Sequence, residues 1–176
     1  DRKKELNQLE TETKMDLFTG LLNKASVERF GESMLADLRN GEILASLMLD
    51  MDDFKNVNDR YGHPVGDFVL KEVAQILRQY APDRARIGRI GGDEFIVLLT
   101  TDNWRVFVSY AETLLEQVPK ISWKGKDTSL QCSIGLAASH STGEPYAELY
   151  RRTDEALYEA KRRGKGTLYS SCSFPS

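Results

Sequence analysis

Cysteine is nearly absent from this chain of 176 residues: Cys132 and Cys172 are the only two. Neither lies in a metal-type or redox-type spacing, so a disulfide framework and a thiolate metal site are excluded, and a reducing, cytoplasmic setting is the expectation. Basic excess is also missing. Lys and Arg number 24 against 27 Asp and Glu, for a net charge of -3, which leaves no positive field for a nucleic-acid backbone. An anionic substrate therefore needs a metal or a few placed lysines. No apolar run approaches the ~18 residues that would span a bilayer, and no signal peptide is present, so direct membrane insertion is not expected. Internal repeats and low-complexity linkers are lacking as well. At 40% hydrophobic and 29% charged residues, the composition suits one globular domain that buries about 70% of its unfolded surface.

What the chain does contain is a sequence of amphipathic elements. Residues 1–15 are helix formers with Leu6 and Leu9 as apolar points. Too thinly striped to pack alone, they fit either the last turns of a coiled coil from an upstream sensor domain or a solvated extension. This start in mid-helix leads us to expect a longer protein. The run Asp16 to Asn23 reads as a structured loop, with Asn23 capping a helix to about Arg39. Ile43 to Leu49 is nearly all apolar, as in a central strand buried on both faces. A turn is expected through Asn56 to Gly62, then a helix from Pro64 to about Tyr80. Ala85 to Ile90 and Phe95 to Thr100 form a hairpin, followed by a helix from Trp104 to Val118. A small hairpin at residues 121–127, a strand from Leu130 to Leu136, a helix from Tyr146 to Arg163 and a short strand at Thr167 to Tyr169 complete the series. Residues 170–176 are small and polar enough for a disordered tail. The order predicts an α+β domain, a mainly antiparallel sheet flanked by helices.

Chemistry concentrates at two places. The apolar strand delivers Asp50, Asp52 and Asp53 at its carboxyl end, and the hairpin tip carries Gly91, Gly92, Asp93 and Glu94. By themselves the first three acids also fit a strand cap and turn. If the tip lies beside that strand end, Asp50, Asp93 and Glu94 converge, and three like charges call for a cation. Oxygen-only ligands favour Mg²⁺ or Mn²⁺ over zinc and suit a nucleoside triphosphate.

Five blocks together identify a resemblance: Asp16-x-x-Thr19-Gly20-Leu21-x-Asn23, Asp50-x-Asp52-x-Phe54-Lys55-x-x-Asn58-Asp59, Gly62-His63-x-x-Gly66-Asp67, Gly91-Gly92-Asp93-Glu94-Phe95, and Asp154-x-Ala156-Leu157-Tyr158-x-Ala160-Lys161. In order and spacing they are similar to the GGDEF family, the diguanylate cyclase domains, over residues 16–169. The resemblance implies a fold related to the nucleotidyl cyclases and the polymerase palm. The implied activity joins two GTP into cyclic di-GMP, releases two pyrophosphates and works across a homodimer.

By the same resemblance, Asp50, the Met51 carbonyl, Asp93 and Glu94 would hold metal, two ions per site, and Asp93 would help deprotonate the attacking 3′-hydroxyl. Phe54 and Lys55 would lie at the phosphates, with Lys55 offsetting charge on the leaving group; Gly91 and Gly92 would make room for phosphates. Lys161 and Lys165 would complete the triphosphate pocket. Asn58, His63 and Asp67 would surround guanine, Asp67 favouring GTP because a carboxylate matches the N1–H and N2–H₂ donors. Two departures stand out. Lys165-Gly166 replaces the family's usual Arg-Asn, keeping charge but losing a bidentate grip. Pro82 and Ala85 occupy the positions of the usual Arg-x-x-Asp product site, so feedback binding there is not expected. The rival reading is a catalytically silent GTP- or cyclic-dinucleotide-binding regulatory module.

Overall fold

The computed structural model describes residues 2–5 and 14–171. Residues 2–5 are helical and exposed; residues 1 and 6–13 of the linker helix expected over 1–15, and the tail beyond 171, lie outside the described residues, while Lys14 and Met15 are not helical, Met15 forming an isolated bridge with Leu22. The elements follow as α1 (Lys24–Ala36), β1 (Ile43–Met51), α2 (Phe54–Tyr61), α3 (His63–Tyr80), β2 (Arg86–Arg89), β3 (Glu94–Thr101), α4 (Trp104–Gln117), a 3₁₀ turn (Val118–Lys120), β4 (Ser122–Trp123), β5 (Lys126–Asp127), β6 (Cys132–Ser139), α5 (Tyr146–Arg163) and β7 (Leu168–Ser170).

Five strands form one sheet in the order β2-β3-β1-β6-β7, and β4 pairs with β5 apart from it. The apolar run Ile43 to Leu49 occupies the centre, flanked antiparallel by β3 and β6. This bears out the expectation of burial on both faces, since seven consecutive residues of β1 are buried. The last pair, β6 with β7, is parallel, so the sheet is mixed with three antiparallel pairings. Alternation along the strands sorts two cores. Leu47, Leu49, Phe95, Val97, Ile134 and Leu136 face α3 and α4 together with Val69, Val73, Leu77, Phe107 and Leu114. Leu44, Met48, Ile96 and Leu98 face α1 and α5, meeting Val27, Leu35, Leu149 and Leu157. Each such fully buried side chain contributes roughly 1.5–3 kcal/mol.

Four boundaries differ from the sequence expectation. The stretch expected as a turn is the helix α2, separated from α3 by Gly62 at φ +91°. Its polar Asn and Asp residues favour turns locally, but Phe54, Val57 and Tyr61 recur at helical spacing, and Val57 is buried. The first helix stops at Ala36, and Leu130 lies outside β6. Ser170 belongs to β7, one residue beyond the expected strand.

Candidate active site

One end of the sheet gathers the carboxyl end of β1, the β2–β3 tip, the start of α2 and the end of α5. Asp50 pairs with Glu94 of β3 on one side and Ser133 of β6 on the other. By alternation, Asp50 and Glu94 share the α5 face. Asp50 Oδ2 accepts a hydrogen bond from Lys161 Nζ, whereas, among the described residues, Oδ1 is buried without a partner. Asp93 sits beside it: burial, then the charge of Asp50 and a hydrogen bond to it, push the Asp93 carboxyl up from 3.8 to about 6. Burial also raises Glu94, followed by the charges of Asp50, Asp154 and Asp93. On Lys161, burial acts to lower the ammonium value, but the hydrogen bond and charge of Asp50 outweigh it and the net shift is upward.

A hard divalent cation fits Asp50 and Asp93: the orphaned Oδ1 and the crowding of the two carboxylates are both relieved by positive charge. Among the described residues no group of three or more His, Cys, Asp and Glu is gathered as a ready metal cluster. The Glu94 carboxylate lies over Gly91, where a Cβ would come within 3.2 Å of Oε2. Met51 is buried with its side chain in the α3–α4 core, leaving only its backbone for the site.

The tip is held by a residue to which the sequence reading gave no role. Arg89 Nη2 donates to the Gly92 carbonyl at 2.7 Å and Nε to the Gly91 and Gly92 carbonyls at 3.1 Å. Its Nη1 pairs with Asp16 at 3.3 Å. Asp16 in turn accepts from the Thr19 hydroxyl at 2.6 Å and amide at 3.0 Å. The 16–23 loop is thereby fastened to the glycines, and both glycine carbonyls are taken up. A Cβ on Gly92 would meet nothing within 4 Å, so what that glycine supplies is bare, approachable backbone.

Asp53, between β1 and α2, adopts a left-handed conformation (φ +56°, ψ 32°), and no side chain caps α2. The first amides of that helix remain available to an anion, where the helix dipole favours one. Lys165 Nζ donates to the Asp53 carboxylate, placing the lysine at the same helix start. Lys55 is exposed in the first turn of α2 and makes no ion pair among the described residues. The partly buried Phe54 ring packs against the core. Asp52 is structural: it accepts from the Ser133 hydroxyl at 2.8 Å and the Gly166 amide at 3.0 Å, tying β1 to β6 and to the turn after α5.

Asn58 of α2 lies against α3, where a Cβ on Gly66 would approach its Oδ1 to 1.9 Å. Asp67 follows Gly66 and is exposed, as is His63 at the start of α3. The structure thus brings Asn58 against α3, with Asp67 exposed on the first turns of that helix, while Asp50, Asp93 and Lys161 meet at the strand ends. Pro82 and Ala85 lie in the α3–β2 loop, with the Ala85 amide bonded to the Pro82 carbonyl at 3.2 Å.

The family model described as "Diguanylate cyclase, GGDEF domain" matches residues 13–167. Diguanylate cyclase DosC of Escherichia coli K12 is 38% identical over 162 residues, which cover 89% of this chain and 35% of that protein. Diguanylate cyclase A of Treponema denticola is 38% identical over 129 residues, covering 72% of this chain and 35% of the relative. The chain thus spans about a third of the length of these relatives. The coiled coil and GGDEF domain of DgcB from Caulobacter crescentus, solved in complex with c-di-GMP, superposes with a TM-score of 0.84 at 25% identity, covering 96% of this chain and 91% of that one. The active GGEEF domain of a diguanylate cyclase from Vibrio cholerae gives 0.80 at 28%, covering 88% and 99%. With a family match across most of its length, relatives of 38% identity and solved GGDEF domains that share its architecture, the chain belongs to the GGDEF domain family of diguanylate cyclases.

Proposed function

We propose that this domain condenses two GTP into cyclic di-GMP and two pyrophosphates, as a homodimer in which each protomer presents one GTP to the other. The observation that carries this reading is the meeting of Asp50 and Asp93 at the strand ends, with the Asp50 oxygen orphaned beside a lysine. Asp50, Asp93, Glu94 and the Met51 carbonyl would hold Mg²⁺ or Mn²⁺, two ions per site. When bound, these ions neutralise phosphate charge and acidify the 3′-hydroxyl. Asp93 accepts the proton of that hydroxyl. The open amides at Phe54 and Lys55, with the Lys55, Lys161 and Lys165 ammonium groups, bind the triphosphate and offset charge on the leaving pyrophosphate. Bare backbone at Gly91 and Gly92 leaves the phosphates room. Asn58 and Asp67 read guanine, with His63 beside them. Because the 3′-hydroxyl of each GTP attacks the α-phosphate of the other, one protomer holds only half of the reaction.

A cytoplasmic setting supplies GTP. Among the described residues no helix is long and apolar enough to cross a membrane. The helical residues 2–5 fit a stub through which an upstream regulatory domain sets the pairing of two protomers. Incubating the chain with GTP and Mg²⁺, with and without an added dimerisation segment, is expected to yield cyclic di-GMP by mass spectrometry. Absence of product in both preparations overturns the reading. Asp67→Ala is expected to raise the GTP KM by roughly tenfold to a hundredfold, the worth of hydrogen bonds to a charged group, with kcat little changed. An unaltered KM would remove Asp67 from base recognition.

A further inference from the structure

A slot opens on the α1–α5 face at the root of the hairpin tip, lined by Lys24, Glu28, Ile90, Tyr146, Ala147 and Tyr150, with a volume of about 150 Å³. We infer that it is a second guanine-ring subsite, with the two tyrosine rings as walls and the Lys24 and Glu28 side chains at its mouth. The inference rests on the proposed function in one respect: that activity makes guanine nucleotides the flat, polar-edged molecules at hand.

The walls are firm. Tyr146 is buried, and its ring lies so close to α1 that a Cβ on Gly31 would come within 2.4 Å of it. Tyr150 stands at an edge-on angle to Tyr146, ring centroids 6.2 Å apart. The Lys24 ammonium lies 5.6 Å from the Tyr150 centroid. Glu28 is one turn further along α1 and lines the same slot. Both charged groups are exposed, and among the described residues neither makes an ion pair.

Size and edge chemistry select the ligand. Pockets that enclose a whole small molecule usually run from about 300 Å³ upward, so this one admits a single planar ring system while sugar and phosphate stay outside. Guanine offers a carboxylate two donors, N1–H and N2–H₂, and offers lysine the acceptors O6 and N7. Adenine gives the carboxylate only its N6–H₂. The slot is separate from α2 and α3, which carry Asn58 and Asp67, being on the opposite face of the sheet. It also touches the catalytic tip directly, because the Ile90 amide donates to the Glu94 carbonyl at 2.9 Å. A ring seated there rests one residue from the glycines. It gives GTP or the cyclic dinucleotide a hold that uses neither Pro82 nor Ala85.

The test is methyl NMR of the full chain labelled at Ile and Val, titrated separately with GMP, cyclic di-GMP and AMP. The expected result is a saturable shift of the Ile90 methyl with a guanine compound and a clearly weaker one with AMP. Lys24→Ala and Glu28→Ala are each expected to weaken the Ile90 titration by roughly tenfold while leaving that of Val65, on the helix that carries Asp67, in place. A response to GMP alone identifies the mononucleotide as occupant and a response to cyclic di-GMP alone the product; either supports the subsite. An Ile90 methyl that stays still while Val65 moves overturns the subsite and leaves the proposed function standing. So does an Ile90 shift indifferent to both substitutions, which would be relayed from the main site. If neither methyl moves, guanine recognition fails at both places.

Discussion

Asp93→Asn is expected to lower cyclic di-GMP formation by on the order of a thousandfold or more while the domain still folds and still binds GTP. The substitution keeps the shape of the side chain but removes the charge that holds cation and proton. Its second effect has the opposite sign. In the metal-free chain the native Asp93 carboxyl titrates near 6 rather than 3.8 because it is buried beside Asp50. Between those values the folded state binds the proton more tightly than the unfolded state, so the stability contributed by this group is complete below about pH 4 and is lost as pH rises through 6. Asn carries no such charge. The metal-free variant should therefore be more stable than the parent at pH 7 and about equal to it at pH 4, with the size of the gain reduced by the half-exposed position of the residue. Product assays, GTP-binding isotherms and urea melts at the two pH values check the three parts. Parent-like turnover would end the catalytic assignment, and equal stability at pH 7 would show that Asp50 and Asp93 do not crowd each other.

Gly135→Ala is expected to destabilise the fold by about 3 kcal/mol, near the upper end of overpacking effects. A Cβ at this position of β6 would lie 2.1 Å from the Leu157 amide nitrogen and 2.6 Å from the Leu157 Cα. These are backbone atoms, so no side chain can swing away and α5 itself must back off the sheet. Because α5 carries Lys161, bonded to Asp50, and leads into the turn of Lys165, activity of the molecules that remain folded should fall as well. A denaturation midpoint equal to that of the parent would mean that α5 slides on the sheet without penalty.

How much of this was readable beforehand depends on the range of the interaction. The buried central strand followed from an unbroken apolar run, and the long helix Tyr146–Arg163 from its stripe and terminal Gly164. The tip and its neighbours were legible as residue types, since glycines beside paired acids have few other uses. The helix α2 was missed because Asn56, Asn58 and Asp59 speak locally for a turn, and only packing of Val57 and Phe54 against the core decides otherwise. Arg89 left no mark beyond standing two residues before Gly91. Its partners, Asp16 and the glycine carbonyls, are brought to it by the fold.

The sequence by itself determined the α+β class, the acid-bearing strand end and the acid-bearing turn, because periodicity and residue chemistry act over a few neighbours. The tertiary structure alone decided that Asp50 stands opposite Glu94, that Lys161 reaches Asp50 from the last long helix, and that the Glu94 carboxylate lies over Gly91. Register and helix docking fix those relations. They arise from packing between segments far apart in the chain, which no local pattern encodes.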